Sequence, residues 1–198
     1  MIMFYLASAS PRRRELLTQI GVQFKLAPVD IDETPRPDEA AKRYVERLAL
    51  EKAQTALASL NDSEEAVVLG SDTSVIINDE ILTKPKDAAD AKRMLQRLSG
   101  NQHQVFTAVA VISQQQQQVI SVATDVIFRT LSDAEIDAYI ATEEPMDKAG
   151  SYGIQGKGAI LVDHIHGSYS NVVGLPLTET AALLNDFNIE VWSEDQQG

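Results

Sequence analysis

Apolar residues follow two different spacings along this chain, and each spacing predicts one kind of element. Continuous apolar runs at 2–6 and 66–69 are typical of buried strands. Two longer segments, 105–112 and 119–129, alternate between apolar and polar positions and predict strands that bury one face. A stripe of apolar residues at helical spacing predicts a long amphipathic helix over 37–57. Strands and helices are therefore intermixed, without a clean alternation of the two.

Polar residues in front of apolar stripes mark the predicted starts of helices. Ser10 precedes Pro11, which predicts a helix that begins at this proline and ends at Gly21. Ser132 followed by Glu135 is the pattern of a capping box, in which each side chain accepts from the other residue's backbone N–H. Further helices are predicted over 87–98, with Asp87 as the cap, and over 174–187.

Polar turns predict three hairpins, and a further strand is predicted over 22–27. Residues 78–80 separate two short apolar runs, and the glutamines at 114–118 separate the two alternating segments. We interpret the glutamines as a solvated turn and not as an aggregation or partner tract. The segments 159–165 and 169–173 are predicted to pair as the third hairpin.

Composition and charge limit the class of protein. The chain has 198 residues, 44% of them hydrophobic and 23% charged, which is typical of a globular protein. With no repeat and no flexible linker, 1–198 is predicted to be a single α/β domain with a mixed β-sheet and flanking helices. The absence of cysteine excludes disulfides, thiolate metal sites and cysteine nucleophiles. A net charge of −12 argues against general binding of nucleic acid or an anionic membrane.

The apolar start of the chain is short, and no basic residue precedes it. A signal peptide has its basic residues first, and a transmembrane helix needs about 20 apolar residues. We therefore interpret the start as a strand and expect a soluble, cytoplasmic protein.

The segment from Ser8 to Arg13 joins the first predicted strand to the first predicted helix. Free N–H groups and the helix dipole at such a turn suit a phosphate, and the hydroxyls of Ser8 and Ser10 can donate to it. Arg12 and Arg13 oppose the dipole, so helix stability does not explain them, whereas arginine binds phosphate bidentately. A capped helix with solvated arginines is the alternative, and spacing alone leaves both interpretations open.

Asp72 follows the apolar run 66–69 and is expected at the end of a buried strand. Carboxylates at strand ends of α/β proteins often face the ligand crevice, where an aspartate can activate water or bind Mg²⁺. An Asx turn at the strand end is the alternative. Four other charged residues are candidates only as a group, because each alone is more typical of a solvated surface: Glu33, Lys52, Lys84 and Lys148.

The glycine-rich segment 153–158 does not match a P-loop, because Lys157 is followed by Gly158 and not by serine or threonine. Gln155 within it carries an amide donor and an amide acceptor, which complement the imide edge of uracil or thymine. His164 and His166 alternate along a predicted strand with no obvious third metal ligand, and His103 is far from them in sequence, so structural roles are expected for all three.

Several of these motifs together resemble the Maf family of nucleotide pyrophosphatases. The similar segments run in order along nearly the whole chain: 6–17, 51–53, 70–73, 84–85, 98–100, 103–105, 147–150 and 174–176. The opening segment combined with 71–73 and 147–150 is highly specific. Residues 152–156 resemble the branch acting on dTTP and UTP, because the 7-methyl-GTP branch typically has glutamate at the position of Gln155. Ala9 and Ser71 depart mildly from the pattern and remove no reactive group.

The resemblance implies an enzyme that converts a nucleoside triphosphate and water to the monophosphate and pyrophosphate with a divalent cation, Mg²⁺ or Mn²⁺. It also implies an elongated fold related to inosine triphosphatases, with two lobes around a central cleft, and a homodimer. Asp72 corresponds to the proposed proton acceptor, and we assign Lys52 and Lys84 to catalysis with it. The residues expected to bind substrate are Ser8, Ser10, Arg12, Arg13, Thr73, Lys148 and Gln155, and those expected to hold the metal are Asp72 and Glu33.

This reaction agrees with the charges in the sequence. A triphosphate carries nearly four negative charges, so its hydrolysis needs cations and donors where charge develops. The net charge of −12 excludes nonspecific polyanion binding but does not exclude a polyanionic substrate. The alternative function is a non-catalytic nucleotide-binding regulator of septum formation and cell division. Both functions need the phosphate turn, but only the enzyme needs Asp72 with its lysines.

Overall fold

The computed structural model describes residues 2–60 and 65–193 and divides the chain into two compact units. The first unit comprises Met1–Asp72, Thr107–Val122 and Gly174–Gly198, and the second comprises Thr73–Phe106 and Ala123–Val173. Three strands pass from one unit into the other: β3 (Ala66–Ile77), β5 (Gln102–Ile112) and β6 (Gln117–Phe128). The assignment of 1–198 to one domain around one cleft stays a prediction.

The first unit combines short parallel strands with amphipathic helices. Its further elements are β1 (Met3–Leu6), α1 (Pro11–Gln19), β2 (Lys25–Leu26), α2 (Ala41–Ser59) and α6 (Leu177–Asp186). Strand β1 pairs in parallel with β2 and with β3, so that Leu6 lies opposite Leu26 and Leu69. Helix α2 buries the predicted apolar stripe, including Tyr44 and Leu48. Within residues 2–60 and 65–193, every helix is too short or too polar to span a membrane.

The second unit packs helices against the remaining strands. Its elements are β4 (Glu80–Leu82), α3 (Ala88–Leu98), α4 (Asp133–Ile140), β7 (Val162–His166), α5 (Tyr169–Val173) and the 3₁₀ turns Glu144–Asp147, Ala149–Ser151 and Lys157–Leu161. Leu95, Phe128, Ile136 and Leu161 belong to one buried apolar cluster. Burial of these side chains is the main force that orders this unit.

The strands form one sheet in the order β2-β1-β3-β5-β6-β7, and β4 also pairs with β3. Parallel pairs (β1 with β2 and β3) and antiparallel pairs (β3 with β4, β6 with β7) occur in this sheet. The prediction of an α/β fold with a mixed sheet and flanking helices is therefore confirmed.

Several predicted helix starts and turns are confirmed by the structure. Asp87 caps α3 by accepting from the N–H of Asp90, and Ser132 and Glu135 form the complete capping box of α4. The turn predicted at 78–80 joins β3 to β4, and the glutamine segment forms the turn between β5 and β6. Ser10 is the cap residue of α1 as predicted, but its side chain makes no capping hydrogen bond.

Several predicted elements have the wrong type or length. Residues 169–173 form α5 and not a strand, and β7 instead pairs antiparallel with β6, so the third hairpin is absent. The side chain of Asn171 explains this difference, because it donates to the Val105 carbonyl and to Thr124 Oγ1 and ties a helical turn to the sheet. The strand predicted over 22–27 shortens to β2, and the helix predicted over 37–57 begins only at Ala41.

Candidate active site

In the first unit, one lysine holds two carboxylates. Lys52 Nζ lies 2.8 Å from Asp72 Oδ1 and 2.7 Å from Glu33 Oε1. The side chains of Lys52 and Asp72 are only 12% and 10% exposed, whereas that of Glu33 is 47% exposed. Three candidate residues from separate segments of the sequence therefore form one charged cluster, which has a buried end at Asp72 and a solvent-facing end at Glu33.

Close packing of α2 on β3 places Lys52 beside Asp72. A Cβ atom at Gly70 would overlap the carbonyl oxygen of Ala49 and would lie 2.7 Å from the backbone nitrogen of Ala53. Only glycine therefore allows the helix to approach the strand this closely. Because alternate residues of a strand face the same side, Asp72 points toward α2 as Gly70 does.

Asp72 lies inside a strand and not after its end, which corrects the sequence interpretation. β3 continues to Ile77, because a second apolar run at 75–77 pairs with β4. Pairing with β1 ends at Leu69, so Asp72 lies between the stretch of β3 that pairs with β1 and the stretch that pairs with β4. The alternative of an Asx turn at a strand end is thereby wrong.

Burial dominates the electrostatics of Asp72. Loss of solvent raises the pKa of its carboxyl group, although the positive charges of Lys52 and Arg13 oppose this effect. A carboxylate with a raised pKa is a stronger proton acceptor than an exposed one. The site therefore contains a base that is held in place by an ammonium group.

The turn between β1 and α1 is fixed by Arg13. Its Nε donates to the Gly174 carbonyl over 2.9 Å and its Nη1 to Ser8 Oγ over 3.3 Å. Ser8 is buried, and its hydroxyl also accepts from the N–H of Ser10. Burial lowers the pKa of Arg13, an effect that the charge of Asp72 opposes. Arg13 thus holds this turn to Gly174, a contact that the sequence motif at 174–176 gave no reason to expect. Arg12, which follows Ser10 and Pro11, is half-buried.

The second unit holds the other four predicted site residues. Thr73 is half-buried on β3, whereas Lys84 and Gln155 are exposed. Lys148 is 15% exposed, and its Nζ lies 2.7 Å from Asp147 Oδ1 and donates to the Glu144 carbonyl over 2.7 Å. The ammonium group of Lys148 is therefore held by protein groups in this structure.

Sequence reasoning missed Glu144, whose carboxylate accepts from the backbone N–H groups of Lys157 and Gly158 over 2.8 and 3.0 Å. Those two N–H groups are the donors that a phosphate loop would offer, and here they are occupied by a side chain. The structure therefore agrees with the sequence argument against a P-loop at residues 153–158. The signal that could have identified Glu144 is the spacing of glycines at 153, 156 and 158, which indicates that the backbone of this loop lies in close contact with another group.

The three histidines belong to the second unit, whereas the charged cluster belongs to the first. His103 is buried, its Nε2 lies 2.8 Å from the hydroxyl of Tyr152, and its ring makes edge contacts with Phe128 and Tyr152. This position agrees with the structural role expected from the sequence. Across residues 2–60 and 65–193, histidine, aspartate and glutamate side chains form no group of three or more that is arranged to hold a metal ion.

Comparison with known proteins adds independent findings. Residues 3–187 match the family model described as Maf-like protein. The chain is 56% identical over 189 residues to a dTTP/UTP pyrophosphatase of Shewanella oneidensis, covering 93% of this chain and 97% of that protein. It is 53% identical over 188 residues to a dTTP/UTP pyrophosphatase of Escherichia coli, covering 95% of this chain and 94% of that protein.

Among solved structures, the Ham1 protein of Staphylococcus aureus matches this chain at 15% identity with a TM-score of 0.48. The match covers 81% of this chain and 79% of the Ham1 chain. That similarity is too low to support an inference about function. The match over residues 3–187 and the identity to full-length relatives do establish the family. The chain belongs to the Maf family.

Proposed function

We propose that this chain is a nucleoside triphosphate pyrophosphatase that acts on dTTP and UTP and releases the monophosphate and pyrophosphate. The printed activity of relatives at 53–56% identity supports this proposal. The observation that carries it is the buried ion pair between Lys52 and Asp72, with Glu33 on the same ammonium group. A protein that only binds nucleotides has no need of a buried carboxylate with a raised pKa.

Binding of the triphosphate is assigned to the turn between β1 and α1. A phosphate oxygen can accept from the hydroxyls of Ser8 and Ser10 and from N–H groups at the start of α1, where the helix dipole favours negative charge. Arg12 supplies a guanidinium at the same turn, and Arg13 holds the turn in shape through Gly174 and Ser8. Preorganised donors of this kind stabilise charge that develops on the leaving pyrophosphate.

The chemical step is attack of water on the α-phosphorus. The oxygen of water forms a bond to phosphorus, the bond from phosphorus to the bridging oxygen breaks, and pyrophosphate leaves with the electron pair. Asp72 is proposed to accept the proton of water, or to orient that water while it holds a metal ion. Lys52 keeps the Asp72 carboxylate in one position and neutralises part of the added negative charge when the triphosphate arrives.

The carboxylates of Asp72 and Glu33 fit a divalent cation. Both touch one ammonium group, so they lie close to each other and already surround a positive charge. Mg²⁺ is usually held by one or two carboxylates together with substrate phosphates, which this pair would provide. When bound, Mg²⁺ or Mn²⁺ would neutralise phosphate charge and polarise the phosphorus. Lys52 would then keep its contact with Asp72 while Glu33, the exposed partner, turns toward the cation.

Recognition of the base and the outer phosphates is assigned to the second unit. Gln155 is exposed, and its amide complements the imide edge shared by uracil and thymine. Thr73 and Arg12 correspond to positions that determine substrate preference in the Maf family. Lys84 and Lys148 are proposed to contact phosphate, which for Lys148 requires exchange of the exposed Asp147 carboxylate for a phosphate oxygen.

The proposed activity is tested with purified protein, Mg²⁺ or Mn²⁺ and a panel of nucleoside triphosphates. We expect pyrophosphate release from UTP and dTTP above that from purine nucleotides. Nucleotide binding without pyrophosphate release from any nucleotide would favour the regulator of septum formation. A homodimer and a cytoplasmic location also stay predictions, and sedimentation of the same preparation tests the former.

The base assignment is tested by Gln155→Glu. The substitution replaces the amide donor by a carboxylate that repels the imide oxygens, so turnover of UTP and dTTP should fall about 10-fold or more. The matched control is Gln115→Glu, because Gln115 is exposed in the turn between β5 and β6 and lies outside the 153–158 segment. Unchanged turnover in Gln155→Glu would show that Gln155 only belongs to the loop.

A further inference from the structure

The carboxylate of Glu144 is the centre around which residues 153–158 fold. Its Oε2 accepts from the N–H of Lys157 over 2.8 Å, and its Oε1 accepts from the N–H of Gly158 over 3.0 Å. Oε1 also accepts from the hydroxyl of Tyr139 over 2.9 Å. One side chain therefore satisfies two consecutive backbone donors of the loop and is itself held by a third group.

Tyr139 extends this arrangement to the start of the same loop. Its hydroxyl accepts from the N–H of Gly153 over 3.2 Å while it donates to Glu144. The ring of Tyr139 is buried on α4, so the hydroxyl has a fixed position. Both ends of the segment 153–158 are thus attached to one rigid pair of side chains.

The middle of the loop approaches Glu144 as closely as backbone allows. A Cβ atom at Gly156 would overlap the Glu144 carboxylate. Glycine at this position lets the chain turn around the carboxylate, and it presents the preceding residue, Gln155, to solvent. On the other side, Lys148 donates to the Glu144 backbone carbonyl over 2.7 Å, so Glu144 is itself fixed.

The Glu144 carboxylate is ionised at neutral pH. Burial by itself would raise its pKa, but the N–H groups of Lys157 and Gly158, the hydroxyl of Tyr139 and the charge of Lys148 together hold the pKa below its usual range. Hydrogen bonds to an ionised acceptor are stronger than those to a neutral one. The loop is therefore tied by charge-assisted bonds.

We propose that Glu144 is a positioning residue for substrate selection: by fixing residues 153–158 it holds Gln155 in the one orientation in which its amide can read the edge of a pyrimidine base. This inference rests on the proposed function, because it assumes the role of Gln155 in base recognition. Glu144 acts through the loop, and the hydrolytic chemistry is assigned to Asp72. Loss of Glu144 should therefore weaken substrate binding much more than it slows the bond-breaking step.

The test compares Glu144→Gln with Glu143→Gln. The first is nearly isosteric, but its amide nitrogen must face at least one backbone N–H, so one bond to the loop is lost. The second removes the same charge from the neighbouring residue, whose side chain is exposed. We expect KM for UTP and dTTP to rise about 10-fold in Glu144→Gln, with kcat reduced less than about 3-fold, and no change in Glu143→Gln.

Hydrogen exchange provides a readout apart from activity. The backbone amides of residues 157 and 158 should exchange at least about 10-fold faster in Glu144→Gln than in Glu143→Gln, because their acceptor is weakened. If Glu144→Gln does not fold, Tyr139→Phe takes its place. That variant keeps the buried ring and removes only the hydroxyl, and KM should rise about 3-fold.

The outcomes separate this inference from the proposed function. A wild-type protein that releases no pyrophosphate from UTP overturns the proposed function and this inference with it. An active wild type whose Glu144→Gln variant matches Glu143→Gln in KM overturns the inference alone. A fall in kcat at constant KM would also overturn it, because Glu144 would then act on the chemical step and not on the base.

Discussion

Lys52 Nζ lies 2.8 Å from Asp72 Oδ1, and the two residues belong to a helix and a strand that touch at Gly70. Neither side chain is more than 12% exposed, so the pair is largely removed from water. Removal of Lys52 would leave the buried charge of Asp72 without its ion-pair partner, which destabilises a protein far more than the loss of a surface ion pair. The position and the charge of Asp72 therefore depend on Lys52.

Replacement of Lys52 by methionine should shift the pH dependence of hydrolysis. Asp72 must be ionised to accept a proton or to hold a metal ion, so activity is lost as pH falls through its pKa. Lys52 lowers that pKa, and its removal raises it further. The acidic limb of the profile of kcat against pH should therefore move to higher pH, and kcat at pH 7 should fall about 10-fold.

Lys42→Met is the matched control for this experiment. Lys42 lies on the same helix, α2, but its side chain is 64% exposed and forms only a surface ion pair with Glu46. Its profile should coincide with that of the wild type. An acidic limb that stays in place in Lys52→Met would contradict the assignment of Asp72 as the titrating group.

Asp72→Asn should abolish most of the catalysis without loss of the fold. Asparagine keeps the shape of the side chain but cannot accept the proton and binds a cation poorly. We expect kcat to fall on the order of 10²-fold or more. Asp186→Asn makes the same change at an exposed residue of α6 and should leave kcat unchanged. Near-normal kcat in Asp72→Asn would remove Asp72 from the mechanism.

The same variant should be more stable than the wild type at neutral pH, because it removes the buried carboxylate charge while Lys52 keeps its ion pair with Glu33. Burial raises the pKa of Asp72 above its value of 3.8 in an unfolded chain, so the folded state favours the protonated group. This group therefore stabilises the fold below pH 3.8, and that contribution is lost as pH rises through the folded-state pKa. Asparagine mimics the protonated form at every pH.

Thermal unfolding at several pH values checks this expectation. Each kcal/mol gained in the free energy of unfolding should raise Tm by about 2–4 °C for a chain of this size. The difference in Tm between Asp72→Asn and wild type should be small near pH 4 and should grow as pH rises. A variant that is less stable than wild type at pH 8 would show that the ion pair outweighs the burial of the carboxylate.

Gly70→Ala should destabilise the first unit and reduce activity together. The added methyl group would overlap the carbonyl oxygen of Ala49, so α2 must move away from β3 and carry Lys52 with it. Forced overpacking of this kind typically costs about 1–3 kcal/mol. Urea unfolding and kcat measured on the same preparation check both effects. An unchanged midpoint together with unchanged kcat would mean that the helix does not depend on glycine here.

The sequence was sufficient for the elements whose signals are local. The capping box at Ser132 and the cap at Asp87 depend on neighbours three residues away, and both are present in the structure. The stripe on α2 needs only helical periodicity. The sequence failed at residues 169–173, because the helical turn there depends on hydrogen bonds from Asn171 to Val105 and Thr124, which are distant in the chain.

The candidate site shows the same limit. Glu33, Lys52 and Asp72 could be nominated as residue types, and the resemblance to the Maf family gave them roles. Their arrangement on one ammonium group requires the close approach of α2 at Gly70, which no local pattern encodes. Glu144 was missed because two of its three hydrogen-bond partners are backbone N–H groups, which residue types do not reveal.

His103 should make the protein sensitive to acid. It is buried against Phe128 and Tyr152, and desolvation lowers its pKa from 6.5 to about 4. Between these two pH values the unfolded chain binds a proton that the folded protein rejects. The free energy of unfolding should therefore fall as pH drops below 6.5, by about 3 kcal/mol in total at pH 4 and below.

His103→Gln removes this titration while it keeps a polar group within reach of the Tyr152 hydroxyl, which lies 2.8 Å from His103 Nε2. The measurement is urea unfolding at pH 7 and at pH 4.5. Between these values wild type should lose more stability than His103→Gln, by most of the 3 kcal/mol expected from about 2.5 pH units. The control His164→Gln changes an imidazole that is 50% exposed on β7, so it should behave as wild type. Equal pH dependence in His103→Gln and wild type would place the acid sensitivity on other groups, because a buried neutral imidazole cannot then be its source.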